Sequence, residues 1–247
     1  MTQLVRKLAT RAALDRADVA AVLALPFTLR SYEAPSYLVR EGMPTPHFCS
    51  FIRSGFAIRQ KLTDDGQRQI VGISLPGDFV DLQHLFLDRA DHNVQVLTRL
   101  EAVDLDRAAL QALAFARPNV GRALWIDSLV EASIYREWVL NTGRRHARQR
   151  VAHLLCEFSL RMSAAGLEKG NGYELPMTQE QLGDAVGLTS VHINRTLKSL
   201  IAEGVVQRDR RHLSFSDWDR IRAVGDFSAL YLHLDQTGPA HLPAEQE

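Results

Sequence analysis

The chain has 247 residues, of which 46% are hydrophobic and 23% are charged, and its formal net charge is zero. This composition is ordinary for a globular protein of one or two domains with a buried core. No stretch approaches the roughly 20 apolar residues of a membrane-spanning helix, and the charged N-terminus is unlike a secretory signal. The two cysteines, Cys49 and Cys156, are too few for a disulfide framework and fit a reducing cytoplasm.

Basic residues are concentrated in the C-terminal third. From Arg144 to Arg222 there are 13 Lys and Arg against 9 Asp and Glu, and the rest of the chain is acidic by the same margin. A basic module joined to a separate acidic domain is the charge distribution of a protein that binds nucleic acid through one domain.

The pattern of apolar residues in the first half of the chain changes near Phe27. Residues 3–24 carry leucines and valines at helical spacing, which predicts a helix. From Phe27 to about Leu105, short apolar runs are separated by turn residues, and this pattern predicts a compact β-sandwich or barrel. The runs are Tyr37–Val39, Phe48–Ile52, Phe56–Ile58 and Ile70–Leu75. Asp65-Gly66 between two such runs predicts a hairpin.

A long apolar helix is predicted after Pro118. Residues 119–142 are apolar over an arc wider than one packing face requires, so the helix must bury two sides. We expect the second side to contact a partner subunit; the alternative is a central helix of a single domain. The residues expected at the dimer contact are Leu124, Leu129, Ile134 and Trp138. The run Asn141-Thr142-Gly143 is expected to end this helix.

The C-terminal part predicts more helices and a small sheet. Arginines from Arg144 onwards open a helix that is expected to reach about Ala164. Two short strands, Val205–Arg208 and His212–Phe215, predict a wing, and Ser216 is expected to cap a last helix. The tail from Thr237 is expected to be disordered.

Residues Thr178 to Val206 predict a helix, a tight turn and a second helix. Thr178 and Gln181 have the spacing of a capping box that starts a helix. Gly187 fits the left-handed residue that ends this helix, and Thr189 can cap the next one.

The second of these helices presents polar side chains outward, because Ile193, Leu197 and Leu200 recur at core spacing. Such a helix can enter the major groove of DNA. We expect bases to be read by Ser190, Val191, Asn194 and Arg195. We expect phosphates to be bound by Thr178, Gln179, Thr189, His192, Lys198, Arg210 and Arg211. The alternative is an ordinary pair of antiparallel helices with a solvated charged face.

At these residues the chain resembles the Crp/Fnr family of bacterial transcription regulators. The turns at Gly42, Gly55, Asp65-Gly66 and Pro76-Gly77-Asp78-Phe79 are similar to the glycine pattern of that family's β-roll. The resemblance implies an α+β protein with an N-terminal double-stranded β-roll (a cupin-like jelly roll), a long dimerisation helix and a C-terminal winged helix–turn–helix. The domains expected from it are a cyclic-nucleotide-binding-like sensor at 1–118, a dimerisation helix at 119–143, a DNA-binding domain at 144–217 and a C-terminal helix with tail at 218–247.

The resemblance also implies a homodimer that binds a palindromic operator and contacts RNA polymerase. Two-fold symmetry would set the two recognition helices about 34 Å apart, one turn of DNA. Several relatives carry a glutamate where this chain has Val191, whereas the family's arginine is kept as Arg195. We therefore expect an operator that shares a guanine contact with those relatives and differs at the neighbouring base pair.

The sensor departs from the nucleotide-binding members of the family. Those members carry Gly-Glu after the Pro-Gly-Asp turn to bind the ribose, and a later Arg-Ser or Arg-Thr to bind the cyclic phosphate. The matching residues here, Asp81-Leu82 and His92-Asn93, form the candidate effector pocket. Leu82 cannot accept a hydrogen bond, and a histidine is a weak substitute for an arginine. We expect no control by cyclic AMP or cyclic GMP; another small molecule, haem or nitric oxide is the alternative.

Metal and cluster sites are not expected. The family's oxygen-sensing branch binds an iron–sulfur cluster, usually through four thiolates, and two cysteines exclude that ligand set. His153, Cys156 and Glu157 share a helix face, where a buried thiol beside a histidine is favoured over a metal site. At His84, His92 and Asp88 or Asp91, a solvated loop is favoured over a metal or haem site. At Cys49, an inert buried thiol is favoured over a redox sensor.

One interpretation belongs to a different class of protein. The chain would then be a ligand-binding protein or an enzyme whose C-terminal helices are purely structural. The sequence contains no phosphate-binding loop, nucleophile elbow or zinc-protease motif. We therefore expect no enzymatic activity and prefer the DNA-binding interpretation.

Overall fold

The computed structural model describes residues 1–168 and 172–234 of the chain. The tail from Thr237, which was expected to be disordered, lies outside the described residues. The described chain forms an N-terminal pair of helices, a β-roll, one long helix and a C-terminal helical domain with a small sheet. No helix in these ranges is both long and apolar enough to span a membrane.

The N-terminal segment forms two helices, α1 (Thr2–Ala9) and α2 (Arg16–Leu23). The prediction of one helix over 3–24 is therefore wrong. Asp15 separates the two helices. Its carboxylate accepts a hydrogen bond from the backbone N–H of Asp18 at 2.7 Å and caps the start of α2.

The β-roll consists of two antiparallel sheets. Its strands are β1 (Phe27–Tyr32), β2 (Tyr37–Val39), β3 (Phe48–Ser54), β4 (Ala57–Leu62), β5 (Arg68–Ser74), β6 (Asn93–Val96) and β7 (Leu100–Asp106). The sheet orders are β1-β7-β3 and β2-β6-β4-β5. The hairpin predicted at Asp65-Gly66 is confirmed: it joins β4 to β5, and Gly66 has a φ of +82°. A 3₁₀ turn at Leu82–Leu85 and helix α3 (Arg107–Ala116) complete the roll.

Helix α4 extends from Pro118 to Arg144, a length of 27 residues. The predicted break at 141–143 is wrong, because Gly143 lies inside the helix and the Thr142 hydroxyl donates to the carbonyl of Trp138 at 2.9 Å. The chain turns at Arg145, after which α5 (Ala147–Ala164) begins.

Two of the four residues expected at the dimer contact are buried inside the protomer. Leu124 is 4% exposed and packs with α1 and the roll, and Trp138 is 7% exposed and packs in the C-terminal core. The Trp138 indole also donates to the carboxylate of Glu157 at 2.9 Å. Their assignment to the dimer contact is therefore wrong. Leu129 is exposed, and Ile134 is partly buried against the C-terminal core.

The described part of the C-terminal domain contains four α-helices, one small sheet and a 3₁₀ turn at Leu230–Leu232. After α5, the elements are β8 (Gly172–Glu174), α6 (Gln179–Val186), α7 (Ser190–Ala202), β9 (Gln207–Asp209), β10 (His212–Ser214) and α8 (Trp218–Gly225). The sheet order is β8-β10-β9. Helix α8 is capped by Asp217, which accepts from the N–H of Arg220 at 2.9 Å, and not by Ser216 as expected. The Ser216 hydroxyl donates instead to the carbonyl of Gly204.

The roll contacts the C-terminal domain directly. Arg68 on β5 forms an ion pair with Asp184 on α6 at 2.6 Å, and Gln69 donates to the carbonyl of Asp184 at 2.7 Å. Since α6 packs against α7, these bonds fix the orientation of both helices relative to the roll.

Candidate nucleic-acid interface

The helix–turn–helix forms as the sequence predicts. The Thr178 hydroxyl accepts from the N–H of Gln181 at 3.2 Å, and the Gln181 side chain accepts from the N–H of Thr178 at 2.8 Å. Gly187 has a φ of +66°, and the Thr189 hydroxyl accepts from the N–H of His192 at 3.3 Å. Capping residues thus position both ends of the turn.

The turn is tight because Gly183 leaves room for it. A β-carbon at Gly183 would lie 2.3 Å from the carbonyl oxygen of Leu188, so a larger residue would force the chain apart. Ile193, Leu197 and Leu200 are buried in the core, as predicted. The opposite face of α7 is therefore directed outward.

Most of the residues predicted to contact DNA are exposed. Ser190, Val191, Thr189, His192, Arg195 and Lys198 are exposed on or beside α7. Val191 is 66% exposed, so its apolar side chain can reach a base edge. Asn194 is half-buried, and its amide nitrogen donates to the side-chain oxygen of Gln179 at 3.0 Å. An apolar group, an amide and a guanidinium are thereby presented on one helix, a set that can distinguish base edges in the major groove.

The wing places further cations beside α6. Arg210 and Arg211 form the two-residue connection between β9 and β10, and Arg210 adopts a left-handed φ of +54°. Arg208 was missed by the sequence interpretation; it lies on β9, whose three residues are all exposed. A cleft of about 270 Å³ separates the wing from α6, and Thr178, Gln179, Arg208 and Arg211 line it. Basic side chains and the α6 N-terminus thus meet at one surface, where phosphate can bind.

The candidate effector residues do not line one cavity. Asp81 is fully buried, and its carboxylate accepts from the N–H of Ser50 at 2.9 Å. Leu82 packs in the apolar core of the roll, and Asn93 accepts from the N–H of Glu41 at the surface. His92 is 8% exposed. Of the four residues, Asp81 and His92 are the buried polar side chains.

His84 lies between these two residues. Its ring is 6.3 Å from that of His92, and its Nδ1 atom is 3.7 Å from the Asp81 carboxylate. The interpretation of His84 and His92 as a solvated loop is wrong, because strand β6 and the 3₁₀ turn bury both rings. Burial lowers the pKa of His92, despite a hydrogen bond to Asp91.

Arg59 on β4 occupies the space beside the candidate pocket, and sequence reasoning missed it. Its guanidinium donates to the carbonyl of Phe79 at 3.1 Å and to that of Val80 at 2.7 Å. It also forms an ion pair with Glu131 on α4. Burial alone would lower the pKa of Arg59, but Glu131 raises it. Phe79 and Val80 immediately precede Asp81-Leu82, so this arginine is bound at the backbone of the candidate pocket.

The three residues of α5 with metal-ligand spacing belong to a structural network. The rings of His153 and Tyr231 stack, and the Tyr231 hydroxyl lies 3.1 Å from His153 Nε2 and donates to Glu157 at 2.9 Å. Cys156 is buried, which raises its pKa to about 12. Burial likewise raises the pKa of Cys49, so both thiols are unreactive. Across the described residues, no group of three His, Cys, Asp or Glu side chains is arranged to hold a metal ion.

Comparison with known proteins agrees with this architecture. Residues 149–224 match the family described as a Crp-like helix-turn-helix domain, and residues 29–117 match the family described as a cyclic nucleotide-binding domain. The chain is 31% identical over 204 residues to the transcriptional activator protein FnrL of Cereibacter sphaeroides, with 81% of each protein covered. It is 29% identical over 166 residues to the nitrogen fixation regulation protein FixK of Bradyrhizobium diazoefficiens, covering 66% of this chain and 68% of that one.

A solved structure supports the same assignment. The structure of FixK2 from Bradyrhizobium japonicum matches with a TM-score of 0.75 at 26% identity, covering 81% of this chain and 98% of that chain. A β-roll joined by a long helix to a winged helix–turn–helix defines a class, the DNA-binding transcription regulators with a cyclic-nucleotide-binding-like sensor. Within that class, the chain belongs to the Crp/Fnr family.

Proposed function

We propose that this regulator acts in the cytoplasm as a homodimer on a palindromic operator, where it contacts RNA polymerase, and that cyclic nucleotides do not control it. The sequence predicted boundaries at 118, 143 and 217; in this proposal the dimerisation helix is Pro118–Arg144 and the DNA-binding domain includes α8, Trp218–Gly225. The observation that carries it is the exposed outer face of α7, on which a capped turn presents the side chains that we assign to base reading.

Base reading is assigned to Ser190, Val191, Asn194 and Arg195. Arg195 is exposed and can donate two hydrogen bonds to a guanine, and the Asn194 amide can form a bidentate contact with an adenine. Val191 can pack on the methyl group of a thymine. The phosphate contacts are assigned to Thr178, Gln179, Thr189, His192, Lys198, Arg210 and Arg211, with Arg208 added from the cleft beside the wing.

The dimer contact is assigned to an exposed row on α4. Trp125, Leu129 and Val139 are 63%, 60% and 72% exposed. With Ala132 and the exposed Arg136 between Leu129 and Val139, they follow the alternating four- and three-residue spacing of a coiled-coil seam. Leu129 is kept from the sequence prediction. Trp125 directly follows Leu124, and Val139 directly follows Trp138, the two buried residues that the sequence predicted for the dimer contact. Ile134 flanks the row but packs mainly on its own protomer.

Insensitivity to cyclic nucleotides is supported by the bonds of Arg59. Its guanidinium holds the backbone at Phe79 and Val80 and pairs with Glu131, so the roll already contacts the long helix through its own side chains. Leu82 packs in the apolar core, and the Asn93 side-chain oxygen already accepts from the backbone N–H of Glu41. An arginine with the partners that Arg59 has is not free to neutralise a cyclic phosphate.

The test is DNA binding by fluorescence anisotropy at several salt concentrations. Arg195→Ala is expected to reduce the preference for the operator over a scrambled duplex by roughly ten- to hundredfold, the value of one bidentate base contact. Lys198→Ala is expected to weaken binding to both duplexes equally and to reduce the salt slope by about one. Arg53→Ala, on the exposed outside of the roll, is the matched control and is expected to change neither.

Two results would contradict the proposal. Affinity that does not fall with increasing salt would exclude phosphate contacts. An Arg195→Ala variant that weakens operator and scrambled DNA by the same factor would exclude base reading by α7.

A further inference from the structure

Gln179 and Asn194 form a side-chain pair across the helix–turn–helix. Gln179 is the first residue of α6, and Asn194 lies one turn into α7. The Asn194 amide nitrogen donates to the Gln179 side-chain oxygen at 3.0 Å. Both side chains are half-buried, whereas the other predicted base readers on α7 are exposed. Asn194 is thus the one assigned base reader whose amide bonds to a side chain of the other motif helix.

This hydrogen bond selects one orientation of the Asn194 amide. An asparagine side chain carries an acceptor oxygen and a donor NH₂ group, and its terminal torsion is soft and roughly two-fold. A free asparagine can therefore present either end to a base. The Gln179 oxygen faces Asn194, where it attracts the NH₂ group of Asn194 and repels the oxygen. A phosphate bound by the NH₂ group of Gln179 would prevent the two amides from turning together. The Asn194 oxygen is then directed away from α6, and the second N–H of the amide remains available.

The resulting set, one acceptor beside one donor, matches adenine. The adenine edge in the major groove offers the N6 amino group as a donor and N7 as an acceptor, whereas guanine offers two acceptors. An unoriented amide could turn its NH₂ group towards guanine. The oriented amide cannot do so without breaking its bond to Gln179.

Gln179 has a second group that the pair leaves free. With its oxygen occupied by Asn194, its own NH₂ group remains as a donor at the cleft that Thr178, Arg208 and Arg211 also line. A donor at that position suits a phosphate oxygen. One residue can thereby connect the position of the DNA backbone to the orientation of a base-reading amide.

We propose that Gln179 is a specificity-determining positioning residue, which fixes the Asn194 amide in the orientation that selects adenine over guanine. The inference rests on the proposed base-reading role of Asn194 and adds a residue that acts through it. Its distinctive consequence is a change in base preference at a single position of each half-site, without a general loss of discrimination.

The experiment measures base preference at every operator position by competition binding to a set of single-substitution duplexes. Gln179→Met removes the acceptor and keeps the length of the side chain. It is expected to reduce the adenine preference at the Asn194 position by about fivefold, the value of one net hydrogen bond. Preferences at the Arg195 position are expected to stay unchanged.

Gln179→Glu is the matched variant. A carboxylate only accepts, so it keeps Asn194 in the same orientation while its charge repels phosphate. It is expected to weaken binding to every duplex and to keep the adenine preference of the unaltered protein. This opposite pattern separates amide orientation from phosphate binding, and it does not depend on the stability of the Met variant.

Asn194→Ala distinguishes the base-reading role of Asn194 from the positioning role of Gln179. It is expected to abolish the preference at that position, a loss of roughly ten- to hundredfold. If Asn194→Ala leaves all base preferences unchanged, the base-reading role fails and the inference fails with it. If Asn194→Ala removes the preference but Gln179→Met leaves it intact, only the positioning role of Gln179 is overturned.

Discussion

Asp78, in the turn after β5, accepts a hydrogen bond at 2.8 Å from Arg161 on α5 of the C-terminal domain. Lys7 on α1 contacts the same carboxylate at 3.2 Å and also reaches Asp127 on α4 at 3.2 Å. One carboxylate therefore joins the N-terminal helix, the roll and the DNA-binding domain. The placement of the recognition helix depends on this junction.

Asp78 should make the stability of the protein sensitive to acid. Burial alone would raise the pKa of Asp78, but Lys7 and Arg161 lower it to about 2. A carboxyl group with a depressed pKa stabilises the fold above its unfolded pKa of about 4, and this contribution is lost as the pH falls through 2. We expect Asp78→Asn to remove about 2 kcal/mol of the change in unfolding free energy between pH 6 and pH 2.

Denaturant unfolding at the two pH values measures this change. The exposed Asp88 provides the control, since Asp88→Asn should leave the pH dependence as it is. An Asp78→Asn variant with the pH dependence of the unaltered protein would contradict the assignment.

Arg59 should contribute more to the unfolding free energy of the protein than an ordinary strand residue does. Removal of its side chain leaves the Glu131 carboxylate without its partner and frees the carbonyls of Phe79 and Val80. We expect Arg59→Ala to lower the unfolding free energy by about 3 kcal/mol, as for other broken buried ion pairs. Urea denaturation followed by tryptophan fluorescence measures it. A loss below about 0.5 kcal/mol, the range of surface substitutions, would show that the pair is not buried in solution.

Cyclic nucleotides should not stabilise the protein. A ligand that binds only the folded state raises the unfolding free energy in proportion to the logarithm of its concentration over its dissociation constant. Since Arg59 already holds the backbone beside Asp81, we expect no shift in Tm with a millimolar-range excess of cyclic AMP or cyclic GMP. The same nucleotides should leave the anisotropy titrations with DNA unchanged. A dose-dependent rise in Tm would overturn the expectation.

The exposed row on α4 should control the oligomeric state. Leu129→Glu places a carboxylate at the proposed two-fold contact, and we expect the dimer to dissociate into monomers that bind operator DNA weakly. Sedimentation velocity measures the mass. Leu230→Glu is the control, because Leu230 is 80% exposed on a different element. Leu124→Ala should behave differently, with a loss of about 3 kcal/mol in folding stability, since Leu124 is a core residue.

His153 should give the C-terminal domain a second pH dependence. Burial, together with the charge of Arg145, lowers the pKa of His153 to about 4. Its stabilising effect is complete above the unfolded pKa of about 6.5 and is lost as the pH falls towards 4, because only the unfolded state binds the proton in that window. We expect about 2 kcal/mol of stability to disappear between pH 7 and pH 5. This loss should be absent in His153→Gln and retained in His47→Gln, whose side chain is exposed.

The sequence predicted best where local interactions decide the structure. The ends of α6 and α7 depend on Thr178, Gly187 and Thr189, whose roles follow from the residues next to them. The split between α1 and α2 was missed although its signal is local, since the capping box at Asp15 and Asp18 is visible in the sequence.

The residues that we propose for the dimer contact were only partly predictable. A helix that is apolar on two sides does not indicate which side meets its own protomer, and one residue along a helix changes the direction by about 100°. That rotation separates the buried Leu124 and Trp138 from their exposed neighbours Trp125 and Val139. Only the position of the roll and α5 around α4 decides between them.

The role of Arg59 could not be predicted from the sequence. A charged residue in a strand indicates a solvent-facing side, and β4 would then be buried on one face only. Here α4 covers the second face, and its Glu131 supplies the partner of the arginine. That pairing depends on tertiary contacts between residues far apart in the chain, which single-sequence periodicity does not contain.

The 27-residue helix α4 is long enough to convert a small change of angle into a large displacement. At 1.5 Å per residue it is about 40 Å long, and it begins against the roll and ends beside the DNA-binding domain. A tilt of about 5° at the roll end would displace the far end by about 3.5 Å, close to the 3.4 Å rise of one base pair. The proposed recognition helices can therefore stay in register with their half-sites only while the ion pairs between the roll and the C-terminal domain, Arg68–Asp184 and Asp78–Arg161, hold this angle.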